Sequence, residues 1–191
     1  MTGAYSPPSG TGTALSYTLD PKHRFVVAGT YEVPWGRGKA LGASMSPVLN
    51  AVIGGWQLSG TWIRSSGALL NSGTMTAPAS AKKIGQVGSG NYWFEVTGFA
   101  VQPAFTRRTN PWYYDGLTGP GWSNVDFALA KRVRIRERYK VEVRLEAYSA
   151  LNGMNWANPN LTVSASDFGR TNAQSAGYYG RQVLYSAKLF F

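Results

Sequence analysis

The side chains that could carry out catalysis are few, and they lack partners. The chain has one histidine, His23, whose charged neighbours Asp20, Lys22 and Arg24 supply no nucleophile–base set. Ser65 and Ser66 precede Gly67 without the flanking glycine of a nucleophile elbow. We therefore expect no enzymatic activity.

Motifs for metals and cofactors are also missing from the sequence. There is no cysteine, so neither a disulfide nor a cysteine-based metal site can form. The Gly-Ser-Gly at 88–90 is followed neither by a helical pattern nor by the Lys-Ser/Thr of a phosphate-binding loop. We expect no cofactor and no metal.

Three consecutive aromatic residues, Trp112, Tyr113 and Tyr114, are the clearest candidates for ligand contact. Their rings could stack on sugar or peptide, or they could pack their own loop against the rim of the fold. Aromatic side chains indicate a binding site only where they are exposed on the surface of the protein. Both interpretations stay open at the level of sequence.

The composition favours a membrane β-barrel over a soluble domain. Of the 191 residues, 15% are charged and 14% are aromatic, whereas soluble domains have roughly 25% charged residues. The net charge of +10 would suit a nucleic-acid binder. The basic residues are spread over strand ends and alternating positions, however, so we favour a basic excess distributed over loops, turns and a barrel lumen.

Five stretches alternate apolar and polar residues with a period of two, which is typical of strands with one apolar face. In one of them, Val141, Val143 and Leu145 alternate with Glu142 and Arg144. Lys131 interrupts an apolar row, so it must snorkel, lie near an interface or face a neighbouring element. The predicted strands lie near 23–34, 55–66, 123–135, 139–151 and 181–191, with a short helix at 47–53.

The connections between the predicted strands differ strongly in length. A very short turn at 136–138 contrasts with the segments 67–121 and 152–180, which show no sustained periodicity. Outer-membrane barrels have short periplasmic turns and long extracellular loops. No apolar run reaches the about 20 residues of a transmembrane helix. The fold class predicted is all-β, with antiparallel transmembrane β-barrel strands and long extracellular loops.

This topology places four aromatic residues at one membrane boundary. With the turn at 136–138 in the periplasm, Trp35, Trp56, Tyr139 and Phe191 all fall at the periplasmic side, where aromatic rings favour the headgroup level. Barrels need from about eight strands upward, so five strands predict part of a larger barrel. Residues 1–22 would be an irregular extracellular loop remnant, and 23–191 the C-terminal portion of the barrel.

One segment resembles a late barrel strand of TonB-dependent outer-membrane receptors, most closely those of the Oar-like group with a carboxypeptidase-regulatory-like domain. In GPGWSNVDFALAKRVRI a Gly-Pro-Gly-aromatic turn leads into Asn-x-Asp and Leu-x-Lys. The matching positions are Gly119, Pro120, Gly121, Trp122, Asn124, Asp126, Leu129 and Lys131. Five further segments resemble the same family in order: HRFVVAGTYEVPWGRGK, GGWQLSGTWIRSSG, NYWFEVTGFAVQP, EAYSALNGMNWANPN, and DFGRT followed by RQVLYSAKLFF.

The resemblance implies a role and partners. The family's last strand carries a signal read by the barrel-assembly machinery, which here would be Val183, Tyr185, Leu189 and Phe191. Phe191 could instead merely anchor at the interface. The chain would form barrel wall and extracellular loops of a transporter for a bulky nutrient, in contact with outer-membrane lipid. TonB would bind through an N-terminal plug that precedes this stretch.

Two other functions remain open. A soluble β-sandwich could bind carbohydrate through the same aromatic residues, and a basic domain could bind nucleic acid, although we expect no nucleic-acid partner. Solubility without detergent would favour the first, and retention on heparin with a steep salt dependence would favour the second.

Overall fold

The computed structural model describes residues 21–73, 75–108, 110–135 and 139–191. They fall into two compact units. The sheet unit comprises Phe25–Arg64, Ser123–Gly153 and Tyr179–Phe191, and the loop unit comprises Ser65–Trp122 and Met154–Tyr178 together with 21–24. The strands and the helix are β1 (Arg24–Glu32), α1 (Pro47–Ile53), β2 (Trp56–Ser65), β3 (Leu69–Asn71), β4 (Tyr113–Thr118), β5 (Trp122–Arg134), β6 (Lys140–Tyr148) and β7 (Gln182–Phe190).

The sheet unit is built on five hydrogen-bonded strands in the order β1-β2-β5-β6-β7. β6 pairs antiparallel with β5 and with β7, and Leu145 lies opposite both Leu129 and Tyr185. The sheet is open in the described part of the chain, with β1 and β7 at its edges. The strand bounds differ from the predicted ranges by at most three residues. The predicted turn at 136–138 and most of the predicted irregular segment 1–22 lie outside the described residues.

α1 begins and ends where its sequence predicts. Ser46 caps its first turn, with Oγ accepting a hydrogen bond from the Leu49 N–H at 3.3 Å, and Pro47 follows at the start of the helix, where a missing N–H costs nothing. Gly54 ends it. Within the described ranges, no helix is both long and apolar enough to cross a membrane.

The loop unit has a structure that the absence of periodicity did not predict. β3 and β4 form a two-stranded antiparallel sheet. Seven buried side chains from distant parts of the chain form a hydrophobic core beside it: Leu70, Met75, Trp93, Phe94, Tyr114, Leu117 and Phe168. Phe94 and Phe168 meet edge-on with ring centroids 5.5 Å apart. The two long loops are therefore packed by their own side chains, as compact Ω-type loops are.

A close approach of two backbone segments fixes the start of this unit. A Cβ at Gly67 would lie 1.7 Å from the carbonyl oxygen of Gly119, so no larger residue fits there. One residue further on, the Gly119 N–H donates to the Ala68 carbonyl at 2.8 Å. Glycine at position 67 lets the beginning and the end of the segment 67–121 lie side by side.

Candidate functional site

The five-stranded sheet has two chemically opposite faces, and its polar face is the candidate functional site. The register of β5, β6 and β7 places Lys131, Val143 and Ala187 in one row across the sheet and Arg132, Glu142 and Lys188 in the next. Because side chains alternate along a strand, each such row belongs to one face. The alternation predicted from sequence thus separates an apolar face from a polar one.

Several charged side chains on the polar face form ion pairs. Arg132 lies directly opposite Glu142 in the register, and its Nε donates to Glu142 Oε2 at 2.5 Å. Arg144 Nε lies 2.7 Å from Glu146 Oε1. Arg132 and Glu142 are therefore opposite charges that pair across neighbouring strands.

A shallow cavity of about 490 Å³ lies on this face, with Thr30, Thr61, Asp126, Arg144 and Tyr148 in its lining. Its carboxylates have hydrogen-bond partners. Asp126 Oδ1 accepts from the Ser149 N–H at 2.8 Å and from Asn124 Nδ2 at 2.9 Å, and Glu146 Oε2 accepts from the Tyr148 hydroxyl at 3.2 Å. These hydrogen bonds hold the carboxylates of the cavity in place on the polar face.

The opposite face carries the apolar side chains. A groove of about 610 Å³ crosses β1, β2 and β5 beside Gly29 and Gly60, and Tyr31, Leu58 and Phe127 line it. Phe25 and Trp62 meet edge-on, with their ring centroids 5.5 Å apart. A wide exposed apolar face of this kind is unusual in a soluble monomer and normal on the lipid side of a barrel.

The four predicted boundary aromatics share one end of the sheet. Trp35 follows β1, Trp56 begins β2, Tyr139 precedes β6 and Phe191 follows β7. The Val33 N–H donates to the Trp56 carbonyl at 2.9 Å, and Lys140 pairs with Phe190, which ties these strand ends together. Trp35, Tyr139 and Phe191 are exposed, as residues at a membrane interface would be.

The four residues of the predicted assembly signal lie on or just after the edge strand β7. Val183, Tyr185, Leu189 and Phe191 are all exposed, and Tyr185 is 81% exposed. Val183, Tyr185 and Leu189 lie opposite Ala147, Leu145 and Val141, in the apolar rows of β6. Recognition by the assembly machinery stays a prediction.

The loop aromatics differ in placement. Tyr114 is 3% exposed and lies in the core of the loop unit, where its hydroxyl donates to the Pro78 carbonyl at 2.9 Å. Burial raises the pKa of Tyr114. Trp112 is 37% exposed, and the Arg108 guanidinium lies 3.6 Å from the centroid of its ring. Tyr114 therefore packs the loop, whereas ligand contact by Trp112 and Tyr113 stays a prediction.

Two basic side chains of the loop unit are also partly desolvated. Burial lowers the pKa of Lys83, whose Nζ donates to Thr118 Oγ1 at 3.0 Å and lies 4.7 Å from the centre of the Trp93 ring. Burial likewise lowers the pKa of Arg108. Throughout the described ranges, no three His, Cys, Asp or Glu side chains group as a metal site would require.

The fold and the two-faced sheet define a class of protein, a membrane β-barrel domain. The chain matches the family described as outer membrane beta barrel domain over residues 10–183, and it belongs to that family. Its location is therefore the outer membrane. No curated protein matches the chain. No solved structure matches it either.

Sequence reasoning left the partner of Lys131 undetermined. The structure places its ammonium 2.9 Å from the Val52 carbonyl at the C-terminal end of α1 and 5.2 Å from the centre of the Trp56 ring. Of the three situations predicted for Lys131, facing a neighbouring element is the one observed. The signal that the sequence offered was a lysine in an otherwise apolar row.

Proposed function

We propose that this chain forms the C-terminal part of the barrel wall and the extracellular loops of a TonB-dependent outer-membrane transporter of the Oar-like group. The observation that carries the proposal is the two-faced sheet, whose apolar face suits lipid and whose polar face carries paired charges. In outer-membrane barrels the polar face lines the interior.

The polar face supports transport of a hydrated solute. Its ion pairs and hydrogen-bonded carboxylates keep the surface polar without a strong local field of one sign. A polar nutrient passing such a wall meets donors and acceptors that can replace its own water. We infer that the chain contributes wall and loops and no chemical step of its own.

The open sheet supports a place within a larger barrel. Edge strands in lipid would leave backbone N–H and C=O groups without partners, so β1 and β7 each need a further strand. We propose that other strands of the same barrel supply them, and that the barrel-assembly machinery inserts the whole through the signal on β7. TonB would act through a plug domain N-terminal to these strands.

The topology proposed from the sequence is supported by the aromatic residues at one end of the sheet. With that end in the periplasm, the long segments that form the loop unit face the outside of the cell. The hydrophobic core of the loop unit would let it present a fixed surface to an incoming nutrient. Trp112 is the exposed aromatic side chain that we would test first on that surface.

Cross-linking to TonB tests the transport proposal. A photoreactive residue is placed along the N-terminal region of the whole protein in the bacterium that encodes it, and adducts with TonB are sought before and after the proton gradient is dissipated. We expect adducts with TonB from a restricted set of positions. A correctly inserted protein that forms no adduct would show that the barrel works without TonB.

A further inference from the structure

α1 (Pro47–Ile53) exposes its apolar residues and turns its polar residue inward. Val48, Leu49 and Val52 are 77%, 45% and 65% exposed. Asn50 is its one polar side chain, and Asn50 Oδ1 accepts a hydrogen bond from the Arg37 N–H at 2.7 Å. A surface helix in water shows the opposite arrangement, with charged and polar residues outward.

Asn50 is held in this inward position by the backbone around it. A Cβ at Gly54 would lie 2.3 Å from Asn50 Oδ1, and one at Gly36 would lie 2.8 Å from it. Glycine at both positions leaves room for the amide. The segment that connects β1 and β2 therefore fixes the inward position of Asn50 and the outward position of the apolar side chains of α1.

The C-terminal end of α1 lies against the apolar face of the sheet. The Val52 carbonyl accepts hydrogen bonds from Lys131 Nζ at 2.9 Å and from Trp56 Nε1 at 3.1 Å. Lys131 belongs to an apolar row of β5, opposite Val143. The helix thus covers the charge in that row, and Lys131 is only 6% exposed.

These contacts settle which environment the apolar side of α1 adjoins. The apolar face of the sheet is the face that an outer-membrane barrel presents to lipid, and α1 extends that surface at the end where β1 stops and β2 starts. The partial negative charge at a helix C-terminus favours a cation, so α1 also removes the cost of leaving an ammonium on the lipid side.

We propose that α1 is an interfacial helix whose Val48, Leu49 and Val52 side chains insert among the phospholipid acyl chains of the periplasmic leaflet. Helices of this kind lie in the interface plane with their apolar side in the acyl boundary. The choice of leaflet rests on the proposed function, which puts this end of the sheet in the periplasm. Insertion in lipid rests on the contacts of α1 with the apolar face of the sheet and on the chain's membership of the outer-membrane barrel family.

Site-specific fluorescence tests the insertion. This chain has no cysteine, so Val48→Cys labelled with bimane reports from the apolar side of α1. Ser44→Cys, exposed in the turn before the helix, is the matched control. The whole protein, with any cysteine outside this chain changed to serine, is placed in vesicles of phosphatidylethanolamine and phosphatidylglycerol carrying acyl-brominated lipid.

We expect blue-shifted emission and bromine quenching for the label at position 48, and water-like emission with little quenching at position 44. Equal, water-like emission at both positions would overturn the proposal. Blue-shifted emission at 48 without quenching by brominated lipid would also overturn it, because a protein surface would then cover the helix.

Accessibility in cells separates the leaflet from the insertion. A membrane-impermeant maleimide should label Ser44→Cys only after the outer membrane is permeabilised. Labelling from outside intact cells would refute the topology in the proposed function and the choice of leaflet, whereas quenching at position 48 would still support insertion in lipid.

Discussion

Lys131 shows how one residue that breaks a pattern acquires a structural role. In sequence it is a charge in an apolar row. In the structure its ammonium meets a helix C-terminal carbonyl and the face of Trp56, both of which favour a cation. The sequence showed that Lys131 needs a polar partner. Only the packing of α1 against β5 supplied that partner, the Val52 carbonyl, which is 79 residues away along the chain.

Tyr114 gives a test of the loop unit at the level of one hydroxyl. Tyr114→Phe removes the donor to the Pro78 carbonyl and should lower the free energy of unfolding of this unit by about 1 kcal/mol. Hydrogen exchange of the amides in 67–121 would measure the change. Tyr179→Phe is the control, since Tyr179 is 70% exposed. Equal exchange in both variants would contradict the assigned bond.

The same side chain predicts a dependence on pH. Burial raises the pKa of Tyr114 above the ordinary value of 10.0, so the folded unit holds this proton more tightly than the unfolded chain does. Its contribution to stability is then present below about pH 10 and is lost as pH rises beyond it. Protection factors of the amides in 67–121, which correct for base-catalysed exchange, should fall in that alkaline range and fall less in Tyr114→Phe.

At the level of elements, alternation found the strands that span the sheet and missed those inside the loop unit. β6 has nine residues of period two, whereas β3 has only three. A strand that short is set by what packs around it rather than by its own pattern. Leu70 and Leu117 are both buried in the core of the loop unit, and no local pattern shows that they meet.

The edge strand β7 gives a test at the level of elements. Deleting Phe191 should reduce the amount of the whole protein in the outer membrane, because the terminal aromatic residue would be missing from the proposed assembly signal. Ser186→Ala, in a polar row of the same strand, is the control. Surface labelling and heat-modifiable gel mobility measure insertion, and unchanged levels after the deletion would rule out Phe191 as part of the signal.

At the level of the whole molecule, the net charge of +10 is spread over both units. In the described part of the sheet unit, three basic side chains are paired with carboxylates, and in the loop unit Lys83 and Arg108 lie over aromatic rings. This spread agrees with the interpretation of the positive charge as a basic excess distributed over loops, turns and a barrel lumen. The absence of a nucleic-acid partner stays a prediction.

The apolar face predicts how the chain behaves when it is purified alone. Large exposed side chains such as Phe25, Val27 and Tyr31 should make it aggregate without detergent, because their hydrophobic area has no cover. Analytical ultracentrifugation with and without detergent measures this. A monodisperse monomer in plain buffer would favour a soluble binding module, and steep salt-dependent retention on heparin would favour a nucleic-acid binder.

The sequence by itself determined the fold class, the approximate strands and helix, and the two faces of the sheet, because a period of two is a local property of neighbouring residues. Alternation also put Arg132 and Glu142 on polar faces, whereas their pairing depends on the strand register that the structure shows. Only the tertiary structure showed that the long loops share a hydrophobic core and that Tyr114 lies in it. Only the tertiary structure showed that α1 covers Lys131. Each of these depends on contacts between distant segments, whose geometry no local pattern encodes.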